Sequence, residues 1–224
     1  MSREIKTSVA PTLEAVNARQ EYWIPAAECK AGKGYLCFRR TVDILLSLLL
    51  LLLLLAPIII LGILVFFTSK GPAFYRQERL GLNGKPFMLV KFRSMRHDAE
   101  KDGPSWAKDD DERCTKFGKF LRKTRLDELP QLWNILLGEM SFVGPRPERA
   151  VFYEEFETYI HGFRNRLAVP PGLTGWAQVN GGYDLLPEEK IVYDMEYIQN
   201  CSFRMDLKCL LMTFRVVITQ KGAR

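Results

Sequence analysis

The chain has 224 residues, 32 Lys and Arg against 26 Asp and Glu, a net charge of +6, and 47% hydrophobic residues. That length holds one membrane element and one catalytic domain of ordinary size; the positive balance suits an anionic membrane surface or a phosphorylated substrate, with no nucleic-acid partner expected. Five cysteines, Cys29, Cys37, Cys114, Cys201 and Cys209, are odd in number and form no C-x-x-C pair, which argues against a disulfide framework or structural zinc and for free thiols in a reducing compartment.

Residues 1–35 are weakly patterned and read as a loosely ordered extension, with a short helix expected around Thr12–Tyr22. Next, Ile44 to Ser69 is a run of 26 residues without a charge. As one helix it would be about 39 Å long, enough to cross a hydrocarbon core of ~30 Å. Pro57 removes a backbone donor and clashes with the preceding turn, so a break is expected at Ala56–Pro57. Both flanks are basic, with Lys30, Lys33, Arg39 and Arg40 before the run and Lys70, Arg76, Arg79 and Lys85 after it. Positive residues favour the cytoplasmic side. The segment spanning 36–70 is therefore expected to enter and leave one face as a re-entrant helix with arms of about 18 and 15 Å. A kinked single span is the alternative.

A catalytic domain is expected over 71–224. Ala73–Gln77 and Phe87–Phe92 are β-prone and flank Asn83–Gly84, a hairpin signature. Residues 97–112 are charged and read as a surface loop. From Thr115 the pattern turns helical, with Phe117, Phe120, Leu121, Leu126, Leu129, Trp133, Leu136 and Leu137 on the apolar side. Pro130 is tolerated in a first turn, which puts Asp127 and Glu128 at a helix start, and Gly138 closes that helix. Two Pro- and Gly-rich stretches, 141–147 and 170–176, read as neither helix nor central strand. Helices are expected over Glu148–Ile160 and Pro187–Ile198. The tail repeats Leu207, Leu210, Leu211, Phe214, Val217 and Ile218 at three- and four-residue intervals. It would lie in the membrane interface or serve as an ordinary core helix. The fold class expected is α+β, mostly helical: a proline-broken re-entrant helix, a short β-hairpin and interfacial amphipathic helices around a cytosolic catalytic domain.

No G-x-x-x-x-G-K-[ST], G-x-G-x-x-G or H-E-x-x-H motif occurs, and His97 and His161 are the only histidines, so histidine-based mechanisms have few candidate bases. The constellation Arg122-Lys123-Thr124-Arg125-Leu126-Asp127-Glu128 places two carboxylates behind three cations. Those cations and a helix dipole favour ionisation. An ionised carboxylate is a nucleophile towards phosphorus, and its neighbour suits Mg²⁺, which takes hard oxygen ligands. Helix capping with surface charges is the structural alternative. For Arg146 the alternative to phosphate binding is a salt bridge to Glu139 or Glu148.

The ordered segments Lys91-Phe92-Arg93-Ser94-Met95, Leu126-Asp127-Glu128-Leu129-Pro130-Gln131-Leu132-Trp133-Asn134, Gly138-Glu139-Met140-Ser141-Phe142-Val143-Gly144-Pro145-Arg146-Pro147 and Pro171-Gly172-Leu173-Thr174-Gly175-Trp176-Ala177-Gln178-Val179-Asn180-Gly181 resemble the bacterial sugar transferases, the small monotopic phosphoglycosyl transferases. The resemblance runs from about Arg39 to Val217. It implies transfer of a sugar 1-phosphate from a UDP-sugar to polyprenyl (undecaprenyl) phosphate, releasing UMP, as the first membrane step of exopolysaccharide or other glycoconjugate synthesis. It also implies a covalent intermediate on Asp127, with Glu128 as partner and Mg²⁺ as cofactor held by the pair. Lys91, Arg93, Arg122, Pro145, Arg146, Pro147 and Gln178 are the substrate-binding candidates it implies. The family's re-entrant helix is often broken at Ser-Pro, where this chain has Ala56–Pro57. The location implied is the bacterial inner membrane, among membrane lipids and with the catalytic domain facing the cytoplasm. Exposed apolar surface near a membrane can pair, which admits a homodimer. Gly172, Gly175 and Gly181 would let backbone approach a nucleotide. A catalytically silent scaffold for polysaccharide assembly is the competing reading.

Overall fold

The computed structural model describes residues 21–101, 103, 111–181 and 185–219. The helix expected over Thr12–Tyr22 lies outside them except for its last two residues. There the chain is extended: β1 (Tyr22–Trp23) pairs in parallel with β5 (Ile160–His161). The expected surface loop lies partly outside the described residues.

The apolar run folds as two helices, α1 (Lys33–Leu53) and α2 (Leu55–Thr68), bent by 64°. The break falls at Leu54 and not at Ala56–Pro57. The geometry of proline explains the offset: its missing N–H and its ring both act on the carbonyl four residues earlier, here that of Leu53. Pro57 therefore sits comfortably in the first turn of α2, and the disruption appears one turn before it. Among the described residues no single helix is long and apolar enough to cross a membrane; the bent pair together meets that length and composition.

Helix α1 is amphipathic in the inverted sense. Its buried residues are Arg39, Asp43 and Ser47, spaced i, i+4, i+8 on one face, while Leu45, Leu49, Leu52 and Leu53 point outward, Leu52 at 66% exposure. The polar stripe grips the domain. Arg39 Nε donates to Ser141 Oγ at 3.0 Å, its Nη2 donates to the Val143 carbonyl, and Asp206 lies 3.8 Å away. Asp43 accepts from the Phe142 amide at 3.2 Å. Arg40 donates to the carbonyls of Ile135 and Leu136 at 2.6 and 2.7 Å. Arg39 and Arg40, expected as a basic flank, are spent on internal bonds.

The hairpin forms as expected, with a longer first strand. β2 (Phe74–Leu80) and β3 (Pro86–Phe92) pair antiparallel from Phe74↔Phe92 to Leu80↔Pro86. Asn83 and Gly84 take φ of 55° and 76°, the left-handed values a tight hairpin turn needs. Helix α3 (Lys116–Lys123) starts at Thr115, whose hydroxyl accepts from the Gly118 amide at 2.9 Å. A small cluster of Val65, Phe92 and Leu121 joins α2, β3 and α3.

After α3 the helical phase is lost. Arg125 is left-handed with φ 61°, Leu126–Glu128 make one 3₁₀ turn, and α4 (Gln131–Leu137) begins after Pro130. That reset overturns the apolar face expected from a single period. In α4 the core takes Leu132 and Ile135, and Trp133 and Leu137 are exposed. Gly138, at φ 87°, closes α4 as expected. The Pro- and Gly-rich stretches contain the short parallel pair β4 (Ser141–Val143) and β6 (Gly172–Thr174), then α6 (Trp176–Asn180). Among the described residues neither strand has a further neighbour, so the flanking prolines are tolerated. Between them lies α5 (Ala150–Glu157), shorter than expected; α7 (Pro187–Gln199) matches, and α8 (Phe203–Thr219) forms the tail. The main core gathers α4, β4, α5, β5 and α7 through Ile135, Phe142, Phe156, Ile160 and Ile191. The tail is no ordinary core helix. Asp206 and Cys209 face inward, whereas Leu211 and Phe214 are exposed at 65% and 70%. All five cysteines are free.

Candidate active site

Asp127 and Glu128 occupy the 3₁₀ turn between the left-handed Arg125 and α4. Neither caps that helix, because no side-chain cap bond is made there. The Asn134 side chain fixes the far side of the turn. Its amide donates to the Met88 carbonyl and Glu139 at 2.8 and 2.7 Å and its oxygen accepts from the Val90 amide at 3.1 Å. The first turn of α4 is thereby laced to β3, beside Lys91.

Both carboxylates are buried, yet both line a cavity of about 430 Å³ open to water. Arg79, Lys91, Arg122, Arg146, Arg149 and Lys190 share its wall. Glu128 is anchored by Arg146, whose Nη2 donates at 2.6 Å. Arg146 therefore pairs with the dyad itself, and not with Glu139 or Glu148. Its backbone is held in turn: the Arg146 carbonyl accepts from Arg166 at 3.0 Å, and Arg166 is fully buried against Asp194 at 2.6 Å. Glu148 takes Arg79 at 3.1 Å and Lys190 at 3.6 Å.

The electrostatics separate the two carboxyls. Burial, then the neighbouring Glu128 charge, pushes Asp127 up to about 6 against the pull of Lys91 and Arg122. Burial acts on Glu128 as well, but Arg146 and Arg125 outweigh it and hold that carboxyl below its ordinary value. Burial, with Arg79 nearby, pushes the Lys91 ammonium down to about 8. At neutral pH the site therefore holds a largely ionised Asp127 with no ion pair to it among the described residues, beside an ionised, hydrogen-bonded Glu128.

The model of the bacterial sugar transferase family matches residues 34–220. The chain belongs to that family. Within it, the chain is 38% identical over 193 residues to the UDP-N-acetylgalactosamine-undecaprenyl-phosphate N-acetylgalactosaminephosphotransferase of Aeromonas hydrophila, covering 85% of this chain and 46% of that protein. It is 42% identical over 190 residues to the UDP-glucose:undecaprenyl-phosphate glucose-1-phosphate transferase of Escherichia coli, covering 83% and 41%. With the protein so named in Caulobacter vibrioides it is 38% identical over 192 residues, covering 83% and 71%. The match thus spans less than half the length of the first two relatives.

In this member of the family, Lys91, Arg122, Asp127, Glu128 and Arg146, from four separate segments, meet in the polar cavity. Arg93 also lines it, but its guanidinium is held by Ser69, at 2.6 Å from the carbonyl and 2.8 Å from the hydroxyl. It pins the hairpin to the end of α2. Pro145 and Pro147 lie outside the cavity wall and offer their carbonyls to Gly172 and Arg79. Gln178 lines a different, apolar cavity. Gly172 and Gly175 do permit close approach, but to Gly144: a Cβ on either would come within 2.1 Å of its backbone. Those three glycines set the height of the Arg146 loop. At Gly181 the neighbour is the Leu185 side chain. Sequence reasoning missed Arg79, Lys190 and Glu148 as site residues. They lie on β2, α7 and the loop before α5, with no shared motif to announce them.

Proposed function

We propose that this family member transfers a sugar 1-phosphate from a UDP-hexose or UDP-N-acetylhexosamine to undecaprenyl phosphate in two displacements. The observation carrying the reading is Asp127: a buried, ionised carboxylate at the edge of a cation-lined cavity, its neighbour Glu128 already engaged by Arg146. In the first step an Asp127 oxygen attacks the sugar-bearing phosphorus, the bond to the bridging oxygen breaks, and UMP departs with that electron pair. In the second an oxygen of the acceptor phosphate attacks the same phosphorus, Asp127 is released, and polyprenyl diphosphate sugar forms. Arg122, Arg146 and Lys91 offset the diphosphate charge and stabilise the leaving UMP.

A divalent cation such as Mg²⁺ fits this donor set. Asp127 and Glu128 are hard oxygen donors facing one cavity, and Mg²⁺ needs only one or two protein carboxylates when substrate phosphates complete its shell. When bound it would neutralise diphosphate charge.

The inverted α1, with charges inward and leucines outward, supports a re-entrant anchor in the bacterial inner membrane. α8 would lie in the interface and the catalytic cavity would face the cytoplasm. The decisive assay incubates the purified protein, Mg²⁺ and UDP-sugar with and without undecaprenyl phosphate and identifies the nucleotide released. UMP is expected, with phosphosugar trapped on the protein when acceptor is absent, and Asp127→Asn loses both. UDP would indicate direct glycosyl transfer, and no nucleotide at all would indicate a silent scaffold.

A further inference from the structure

The cations of the polar cavity suit a diphosphate, but they cannot read the rest of a donor. Beyond its phosphates a UDP-sugar is dense in hydroxyl groups, for which an ionised carboxylate is a strong acceptor. Four carboxylates of the described residues line the cavity. Asp127 is assigned to the phosphorus and Glu128 is taken by Arg146 at 2.6 Å. Glu148 is buried between Arg79 at 3.1 Å and Lys190 at 3.6 Å. The fourth is Glu100, on the loop after β3, with its side chain 38% exposed.

Glu100 is oriented from two walls. Tyr75, Gln77 and Arg79 alternate along β2 and so share its cavity face. Arg79 Nη2 donates to Gln77 Oε1 at 2.6 Å, which turns the Gln77 amide nitrogen to Tyr75 Oη at 3.1 Å and Glu100 Oε1 at 3.3 Å. From the loop before α5, Arg149 Nη1 donates to that same Glu100 oxygen at 3.0 Å. Both bonds fall on Oε1, and neither uses Oε2. Tyr75 is a third hydrogen-bond neighbour, and a carboxylate with about four acceptor positions still has room for another donor. A partly exposed ion pair adds little stability. A relay of aligned donors holding one in place suits preorganisation for a ligand instead.

We propose that Glu100 is a specificity-determining residue of the donor site, accepting a hydrogen bond from a hydroxyl of the UDP-sugar, on its ribose or on its hexose. The inference rests on the transferase reading above and adds which part of the donor this end of the cavity reads. Charge supports the orientation. Glu100 repels a diphosphate, so the phosphates lie towards Lys91 and Arg122 and an uncharged, hydroxyl-bearing part of the donor lies against the carboxylate. A site built to accept from a hydroxyl rejects an analogue lacking it, because its own acceptor is then left without a partner.

The test pairs variants with trimmed donors. The probes are UDP-glucose and UDP-N-acetylgalactosamine, whichever releases UMP faster, each with single hydroxyls removed from the ribose or from the hexose. In the parent protein one such deletion should lower kcat/KM for UMP release about ten- to a hundredfold, as loss of a hydrogen bond to a charged group does. Glu100→Ala should lose a similar factor with the intact donor and nothing further with that analogue. The position of the sensitive hydroxyl then tells ribose from hexose. Glu100→Gln keeps an acceptor oxygen without the charge and should recover part of the loss; a carboxylate serving only as the charge partner of Arg149 would recover none. An unchanged unfolding midpoint in detergent certifies the fold of each variant. If every deletion costs Glu100→Ala as much as it costs the parent, or if Glu100→Gln recovers nothing, the proposal is overturned. Absence of UMP from the parent protein with either sugar would instead overturn the transferase reading.

Discussion

Lys91 is the residue on which the pH response of this site turns. Its ammonium sits among Arg79, Arg122 and Arg146 and is pushed down to about 8 by burial and those like charges. Below that value it is protonated and contributes to holding a diphosphate; above it the charge is lost. The kcat/KM for UMP release, which reports groups of the free enzyme, should therefore fall as pH rises through about 8. Lys91→Arg keeps the charge at all accessible pH, so the basic limb should move upward, whatever happens to the rate itself. A limb unchanged in that variant would assign it elsewhere. Gly118 is equally specific. A Cβ there would lie 1.8 Å from the Ser94 carbonyl oxygen, a backbone atom with nowhere to go. Gly118→Ala should lower stability by about 1–3 kcal/mol, as overpacking does, measured as the shift in unfolding midpoint in detergent.

At the scale of elements, the telling one is α1. In the membrane setting proposed above, lipid provides no hydrophobic drive between helix and protein, so association there would depend on packing and polar contacts. Arg39 and Asp43 supply them, and Asp206 is further held by Tyr35 and by Tyr197 at 2.7 Å. Arg39→Ala would leave Asp206 buried without its cation. Breaking a buried pair from one side costs about 3–5 kcal/mol, a fall in unfolding midpoint of roughly 10 °C for a domain of this size. Leu45→Ala, on the outward face of the same helix, should change the midpoint little, because Leu45 is 62% exposed and makes few contacts with the protein. Similar losses for both would refute the inverted arrangement.

Seen whole, the molecule carries its apolar surface on the outer sides of α1, α2 and α8 and its cationic cavity within the domain between them. An anchor that enters and leaves one face keeps both flanks on the same side of the bilayer. An impermeant maleimide should then label cysteines introduced at Glu28 and Lys70, in a background without native cysteines, from the same side. Opposite-side labelling would establish a crossing.

Several of these features are legible without coordinates, and physics says which. Uncharged length, a proline, Asn83–Gly84 and Gly138 act locally, through backbone sterics and the bilayer's dielectric, so the bent apolar pair, the hairpin and the end of α4 follow from residues near one another in the chain. The dyad, too, stands out as adjacent carboxylates behind cations. What only the tertiary structure decided are the long-range choices: that Arg39 and Arg40 turn inward, that Arg146 meets Glu128, that Arg79 and Lys190 reach the same cavity, and which face of α4 is buried. Each depends on where a left-handed Arg125 and a glycine-tight loop aim the next segment. A buried charge finds its partner by geometry in space, and spacing along the chain carries no record of it.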